Sequence, residues 1–305
     1  VAIDDNPLTG TVSKMKSGTN ILVTGGAGYI GSHVCKALSL RGFNPITLDN
    51  LVTGWKDAVK FGPLEEVDLL NREAIDKVFE KYQPTAVLHF AAFSQVGESF
   101  KSPGKYWKNN VIGSLNLVQA CIAYNCKNFI FSSTCAVYGN HDGTILTEET
   151  PQTPENAYGA SKRSVEEIIK NFASSDGLKY VIFRYFNVAG ADADAEIGEY
   201  HLPETHLIPL ILKTIDGSER EMTIFGTDYK TPDGTCIRDF VHVSDLADAH
   251  ILGLEWIKNG GQDRVYNLGT GEGFSVKEVI KVAQEITGKK IPVLGGGRRS
   301  GDCEK

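Results

Sequence analysis

In the stretch NILVTGGAGYIGS three glycines spaced three apart, Gly25, Gly28 and Gly31, come directly after an apolar run and directly before a helical periodicity. That order constrains the chain more than any other feature. A strand that enters a glycine turn and leaves as a helix brings backbone N–H groups and the helix N-terminus up to a pyrophosphate. Spacing alone carries little weight in a chain with 32 glycines, so the context decides. Asp49 closes the next apolar run, PITLD, about 20 residues further on, where such folds place an acidic residue. A carboxylate there accepts hydrogen bonds from an adenosine ribose diol and repels a 2′-phosphate, which favours NAD over NADP.

The remainder of the first half repeats the pattern of strand then helix. Apolar runs ILVTG, PITLD, AVLHF, NFIFSS and KYVIFRYF alternate with helical periodicities over 29–41, REAIDKVFEKY, 106–125 and a long helix starting near Ala157. Short apolar strands separated by helices predict an α/β fold with a Rossmann-type doubly wound parallel sheet, because central parallel strands are buried on both faces. After Gly190 the pattern changes to a polar, irregular stretch and then to short strands (MTIFG, VYNLG) mixed with helices near 206–216, 244–258 and 275–288. We expect residues 1–18 to be a disordered leader, 19–190 an NAD-binding domain, and 191–305 mainly a smaller mixed α/β substrate lobe interleaved with the first.

Composition excludes several classes. A net charge of −7 with no long Lys/Arg run gives no field to gather nucleic acid, and no 18-residue apolar run spans a membrane. The six cysteines show no CxxC pairing and read as reduced thiols of a cytoplasmic protein. Of the seven histidines, the pair closest to a ligand spacing, His201 and His206, straddles Pro203 and matches neither a helical nor a finger pattern, so no metal is expected. No GxSxG turn is present, which argues against an α/β hydrolase.

Two further features carry chemistry. Tyr158 and Lys162 stand one helical turn apart on the stripe that continues through Val165, Ile169 and Phe172, so both face the protein. A buried ammonium beside a tyrosine favours the phenolate, which predicts a general base for a sugar hydroxyl. The segment FSSTCAVYG sets Ser132, Ser133 and Thr134 at the carboxyl end of a strand, where open parallel sheets bind ligands; in an extended chain Thr134 and Cys135 point to opposite sides.

Taken together, LVTGGAGYIGSH, VLHFAAFSQVGES, NNVIGSLNL, FIFSSTCAVYG, NAYGASK, RYFNVAGA, ETHLIPLI and IRDFVHVSDLADAH resemble the extended short-chain dehydrogenase/reductase family, and within it the UDP-galactose 4-epimerases, over nearly all of 20–302. The resemblance implies a tightly held NAD lined by Gly25, Gly28, Tyr29, Ile30, Gly31, Asp49, Asn50, Asp68, Leu69, Phe90, Ala91, Ala92, Asn109, Ser132 and Tyr185. It implies Tyr158 as base, Lys162 as its partner and Thr134 as the hydroxyl that bonds the reacting sugar oxygen. For a UDP-hexose it implies Phe186, Asn187, Leu207, Thr223, Phe225, Arg238, Arg299 and Asp302. The implied reaction is reversible oxidation at the sugar C4, with no net redox change. A 4-epimerase of a UDP-pentose or UDP-N-acetylhexosamine is the nearest alternative, and a non-catalytic NAD-sensing module a more distant one. Dehydratases of the same family need an Asp-Glu pair after the threonine, where this chain has Cys135 and Ala136. Ser94 replaces a lysine and His206 an asparagine found in some relatives. The resemblance further implies a homodimer packed through helices 106–125 and 158–174, and relatives that continue beyond Lys305, so a C-terminal end is expected to be missing.

Overall fold

The computed structural model describes residues 18–141, 143–299, 301 and 303–305; positions 1–17 of the expected leader, and Asp302, lie outside them. Helices and strands begin with β1 (Asn20–Thr24), α1 (Tyr29–Leu40), β2 (Asn44–Asp49), β3 (Leu64–Glu66), α2 (Arg72–Tyr82), β4 (Ala86–His89), α3 (Val96–Lys101) and α4 (Pro103–Tyr106). A π-helical turn (Trp107–Ile112) runs into α5 (Gly113–Ala123), followed by β5 (Asn128–Thr134), α6 (Ala157–Asp176), β6 (Lys179–Tyr185) and β7 (Asn187–Ala189). The chain continues through α7 (Leu207–Asp216), β8 (Met222–Phe225), β9 (Ile237–His242), α8 (Val243–Lys258), β10 (Arg264–Leu268), β11 (Gly273–Ser275), α9 (Val276–Thr287) and β12 (Val293–Gly296).

Seven strands form one parallel sheet in the order β10-β6-β5-β4-β1-β2-β3. The doubly wound α/β fold expected from the sequence is therefore present. Its central strand β1 carries Ile21, Leu22 and Val23 with no exposure at all, each contributing about 1.5–3 kcal/mol by burial. One apolar layer fills the side of α2, α5 and α6 around Phe79, Leu117, Phe129 and Ile169. The other fills the side of α1 and α8 around Val34, Leu38, Leu246 and Leu254. Strand order reverses between β1 and β4, and this switch point is where open α/β sheets leave a crevice beyond their carboxyl ends.

Segments beyond Gly190 contribute to both parts of the molecule. Helix α8 packs on the large sheet and β10 extends it beside β6, while β8 and β12 pair in parallel and β9 lies between β7 and β11. A small separate core gathers Ile211, Met222, Ile224, Ile280 and Ile291. Helix ends follow local chemistry. Asn156 caps α6 by accepting from the Gly159 N–H at 2.8 Å, and Gly177 ends it in the left-handed region at φ 70°. Ser275 and Glu278 form a reciprocal capping box on α9. The sequence predicts one helix over 106–125; the structure divides it, because the turn around Asn109 and Asn110 widens to a π-helix.

Candidate active site

At the end of β1, Gly25 takes φ +73°, and a Cβ there would stand 2.6 Å from the Ala91 nitrogen, so only glycine lets the ends of β1 and β4 approach this closely. The turn is fixed by the Gly28 N–H donating to the Gly25 carbonyl at 3.0 Å, and α1 opens at Tyr29 with its first N–H groups facing the crevice edge. A Cβ on Gly31 would overlap the Gly25 carbonyl oxygen. We expect Gly31→Ala to force turn and helix apart, lowering stability by about 1–3 kcal/mol and releasing dinucleotide; urea unfolding together with absorbance of the bound nucleotide checks both.

Asp49, at the tip of β2, is buried, and accepts from the Leu51 N–H at 2.9 Å and the Ala27 N–H at 3.1 Å. Burial raises its carboxyl pKa, and those two N–H groups oppose the rise. Asn50 donates to Asp68 at 3.0 Å, and Asp68 accepts in turn from the Leu70 N–H, tying the ends of β2 and β3 together. Leu69 is buried against Gly113, whereas Tyr29, Ile30, Phe90, Ala91, Ala92 and Asn109 are half-buried along the same edge. The Tyr29 hydroxyl donates to the Gly190 carbonyl at 2.6 Å, linking the glycine turn to the segment beyond β7. These groups fit a dinucleotide: the glycine turn leaves room that any Cβ would occupy, with N–H groups on one side and a carboxylate at the neighbouring strand end.

Next along the sheet edge, β5 delivers Ser132, Ser133 and Thr134 opposite Phe183, Arg184 and Tyr185 of β6. Ser132 and Tyr185 share a hydrogen bond between their hydroxyls. Tyr158, on the first turn of α6, lies close enough to Thr134 for that hydroxyl to act on its phenol, and Lys162 one turn later donates to the Ser132 carbonyl at 2.7 Å while its Nζ lies 4.9 Å from the centre of the Phe131 ring. Thr134, Tyr158, Lys162, Ser132 and Tyr185 are thus brought to one place. Thr134 also accepts from the Ala136 N–H at 3.2 Å, where Cys135 begins a short 3₁₀ turn.

One electrostatic expectation fails. The sequence predicts that Lys162 lowers the Tyr158 pKa toward neutrality; in the structure burial pushes the Tyr158 phenol up to about 12, with Thr134 opposing the rise. Burial likewise pushes Lys162 down to about 7, with the Glu166 carboxylate opposing the fall. Each group loses hydration, and the Lys162 ammonium spends its contact on a backbone carbonyl rather than on the phenol.

Several positioning residues escape a reading by motif. Asn110, not Asn109, is the buried member of its pair: it accepts from the Phe93 N–H and donates to the Phe93 carbonyl and to Ser161, clamping the loop after β4 onto α6. His89 bridges Thr24 and Ser114 at 2.6 and 2.7 Å, and burial holds its pKa down to about 3, so it stays neutral. Glu166, one turn beyond Lys162, is fully buried and accepts from Ser133 at 2.6 Å and from Arg184 at 2.9 and 2.6 Å. A carboxylate four residues after Lys162 on a stripe that turns inward was the available signal.

In the smaller lobe, Thr223 and Phe225 occupy the face of β8 opposite the buried Met222 and Ile224, and the Arg299 guanidinium lies 4.8 Å from the Phe225 ring centre. Arg238 donates to the Ile237 carbonyl at 2.7 Å and the Cys303 carbonyl at 3.0 Å, and both Arg238 and Cys303 act electrostatically on Cys135, next to Thr134. Phe186 and Asn187 follow directly on β6, and Leu207 opens α7, beside a histidine that feels the Arg299 charge. Ser94 is exposed.

A parallel sheet with a glycine turn at its switch point, a strand-end aspartate, and a tyrosine and lysine on the helix over the same edge defines a dinucleotide-binding α/β enzyme. The chain belongs to the NAD dependent epimerase/dehydratase family, whose model matches residues 21–269. It is 46% identical over 286 residues to the UDP-glucose 4-epimerase of Rhizobium leguminosarum bv. trifolii, covering 94% of this chain and 88% of that one. It superimposes with a TM-score of 0.90 on the UDP-glucose 4-epimerase from Brucella ovis in complex with NAD, at 46% identity, covering 94% and 88% of the two chains. With the UDP-glucose 4-epimerase from Bifidobacterium longum in complex with NAD+ and UDP the TM-score is 0.88 at 36% identity, covering 93% and 89%.

Proposed function

We propose that this chain is an NAD-dependent 4-epimerase that interconverts UDP-glucose and UDP-galactose through a transient 4-keto sugar. The observation that carries the reading is the meeting of Thr134, Tyr158 and Lys162 at the sheet edge beside the glycine turn, with Cys135 and Ala136 following the threonine. Cys135 and Ala136 offer no acid-base pair for eliminating water, so oxidation at C4 leads to return rather than dehydration. The cofactor is held by the turn at Gly25, Gly28 and Gly31, by Asp49 at the adenosine end and by Lys162, Ser132 and Tyr185 at the other. When bound, NAD supplies reversible two-electron acceptance at the sugar. Tyr158 takes and gives back the proton of the 4-hydroxyl, and Thr134 shares a hydrogen bond with the same oxygen. Lys162 stands one helical turn behind the tyrosine, while Arg238 and Arg299 hold the UDP diphosphate so that the keto sugar can turn over without leaving.

In this reading residues 19–190 supply most of the cofactor site and 191–305 most of the substrate site; membership of α8 and β10 in the large layer supports their interleaving. The enzyme works in the cytoplasm as a homodimer through α5 and α6. All six cysteines are free, and among the described residues no helix is long and apolar enough to cross a membrane.

The test is chromatography of UDP-sugars after incubation with the purified chain and no added reductant. UDP-galactose is expected to approach the same equilibrium mixture as UDP-glucose, with bound NAD returning to its oxidised form. Exclusive turnover of UDP-pentoses or UDP-N-acetylhexosamines would move the assignment to those sugars, and bound NAD without turnover of any sugar would leave a sensing module.

A further inference from the structure

The segment between β7 and α7 brings together four side chains that no part of the reaction uses. Glu199, His201, Glu204 and His206 each present one donor atom within 4.8 Å of the others. His206 Nδ1 lies 2.9 Å from Glu204 Oε1 and 3.1 Å from Glu199 Oε1; His201 Nδ1 lies 3.4 Å from Glu199 Oε1 and 3.6 Å from Glu204 Oε2. Metal–donor bonds of about 2.0–2.1 Å in a tetrahedron require donors about 3.3 Å apart, the range these distances span. The two carboxylates are 9% and 3% exposed, and the imidazoles lie side by side with ring centres 4.8 Å apart.

Hydrogen bonding alone leaves this cluster incomplete. Glu204 Oε1 is well supplied by the Thr205 and His206 N–H groups and by His206 Nδ1. His201 Nδ1, however, is buried without any hydrogen-bond partner, although it lies 3.4 Å from Glu199 and 3.6 Å from Glu204. A contrast lies nearby: Asp192, Asp194 and Glu196 also converge, but Lys36 Nζ occupies their centre at 2.7–2.8 Å and pairs with all three. Between Glu199 and Glu204 stand the two imidazoles instead.

We propose that Glu199, His201, Glu204 and His206 form a tetrahedral site for a divalent cation of the zinc class. Two imidazole nitrogens and two carboxylate oxygens suit zinc, two negative charges balance its own, and four protein donors close the shell, which makes the ion structural. Spacing between the two histidines does not reveal the site because the missing ligands are Glu199 before them and Glu204 between them. The ion would fasten a segment already tied to the cofactor side: the Tyr200 carbonyl accepts from Trp55 Nε1 at 3.2 Å and the Gly190 carbonyl from Tyr29. It would also fix the start of α7 at Leu207.

The test is metal analysis of the full chain, stripped with chelator, incubated with excess zinc and desalted, alongside His201→Ala and Glu204→Gln. The wild-type chain is expected to keep about one zinc per chain, to show the visible absorption of tetrahedral cobalt when loaded with cobalt instead, and to melt at a higher temperature with zinc than without. Both variants, checked as folded by retained nucleotide and circular dichroism, should lose the ion and the zinc-dependent shift in melting. No zinc above the buffer blank in the wild-type chain overturns the proposal, whatever the variants do. Undiminished zinc in both variants also overturns it, placing the ion elsewhere, for example on the thiols.

Discussion

Tyr158→Phe should cut the rate of C4 epimerisation by a factor of about 10²–10⁴, the span that a positioned acid-base group contributes, while the chain keeps its nucleotide and its fold. Removing one hydroxyl from a half-buried ring leaves the packing against Tyr106, with ring centres 6.4 Å apart, in place. It frees Thr134 of its partner, but Thr134 keeps the Ala136 N–H. What vanishes is the hydroxyl beside Thr134 that we assign to taking the proton of the sugar hydroxyl and returning it. Within the chain that phenol is pushed up to about 12, so the protein by itself holds it protonated at neutral pH. The variant separates proton removal from binding. Measured values of kcat falling with little change in KM, in protein whose nucleotide content equals that of wild type, are the expected pattern. Turnover within a factor of two of wild type would remove Tyr158 from the reaction.

The parts of this site that sequence alone makes legible are those in which a local pattern and a local geometry coincide. The glycine turn works within seven residues, and the pairing of Tyr158 with Lys162 within one helical turn, so both can be read before any tertiary contact is known. The doubly wound sheet is legible for a related reason, since strands buried on both faces must be apolar throughout. Contacts between distant segments are different. Glu166 meets Ser133 across 33 positions and Arg184 across 18, and Asn110 reaches Phe93 across 17; nothing in the local pattern of either partner names the other. Short strands such as β7 and β11, of three residues each, carry too few residues for an alternation to register, and they become strands because β9 pairs with both. Spacing gives the proximity of Lys162 to Tyr158 but not the desolvation of either, and desolvation is the larger influence on both members of the pair.

The second large effect concerns stability. Glu166→Gln is expected to destabilise the fold by about 3–5 kcal/mol at neutral pH, because it leaves the Arg184 guanidinium, 4% exposed, without its countercharge. Against a total stability of about 5–15 kcal/mol this brings many such chains near unfolding. The carboxylate accepts from Arg184 through both oxygens and also from Ser133 and Gln152, and Arg184 reaches on to the Tyr138 hydroxyl at 2.9 Å, so one change disturbs β5, β6 and α6 together. The Arg184 charge, helped by the Ser133 and Gln152 donors, holds the Glu166 pKa below its ordinary value in spite of burial. A carboxyl whose folded pKa is lowered stabilises fully above its unfolded value of about 4.3 and loses that contribution as pH falls through the folded value. Wild-type stability should accordingly fall with acid in this range more steeply than that of the variant, and the two denaturation curves should draw together. Since a buried ion pair can be exchanged for apolar side chains of similar volume at little cost, Glu166→Met with Arg184→Met should recover much of the loss. Chemical denaturation of the three proteins between neutral and acid pH decides the matter: a Glu166→Gln variant as stable as wild type at neutral pH would mean that water reaches Arg184 and that the pair contributes little to holding α6, and with it Tyr158 and Lys162, against the sheet.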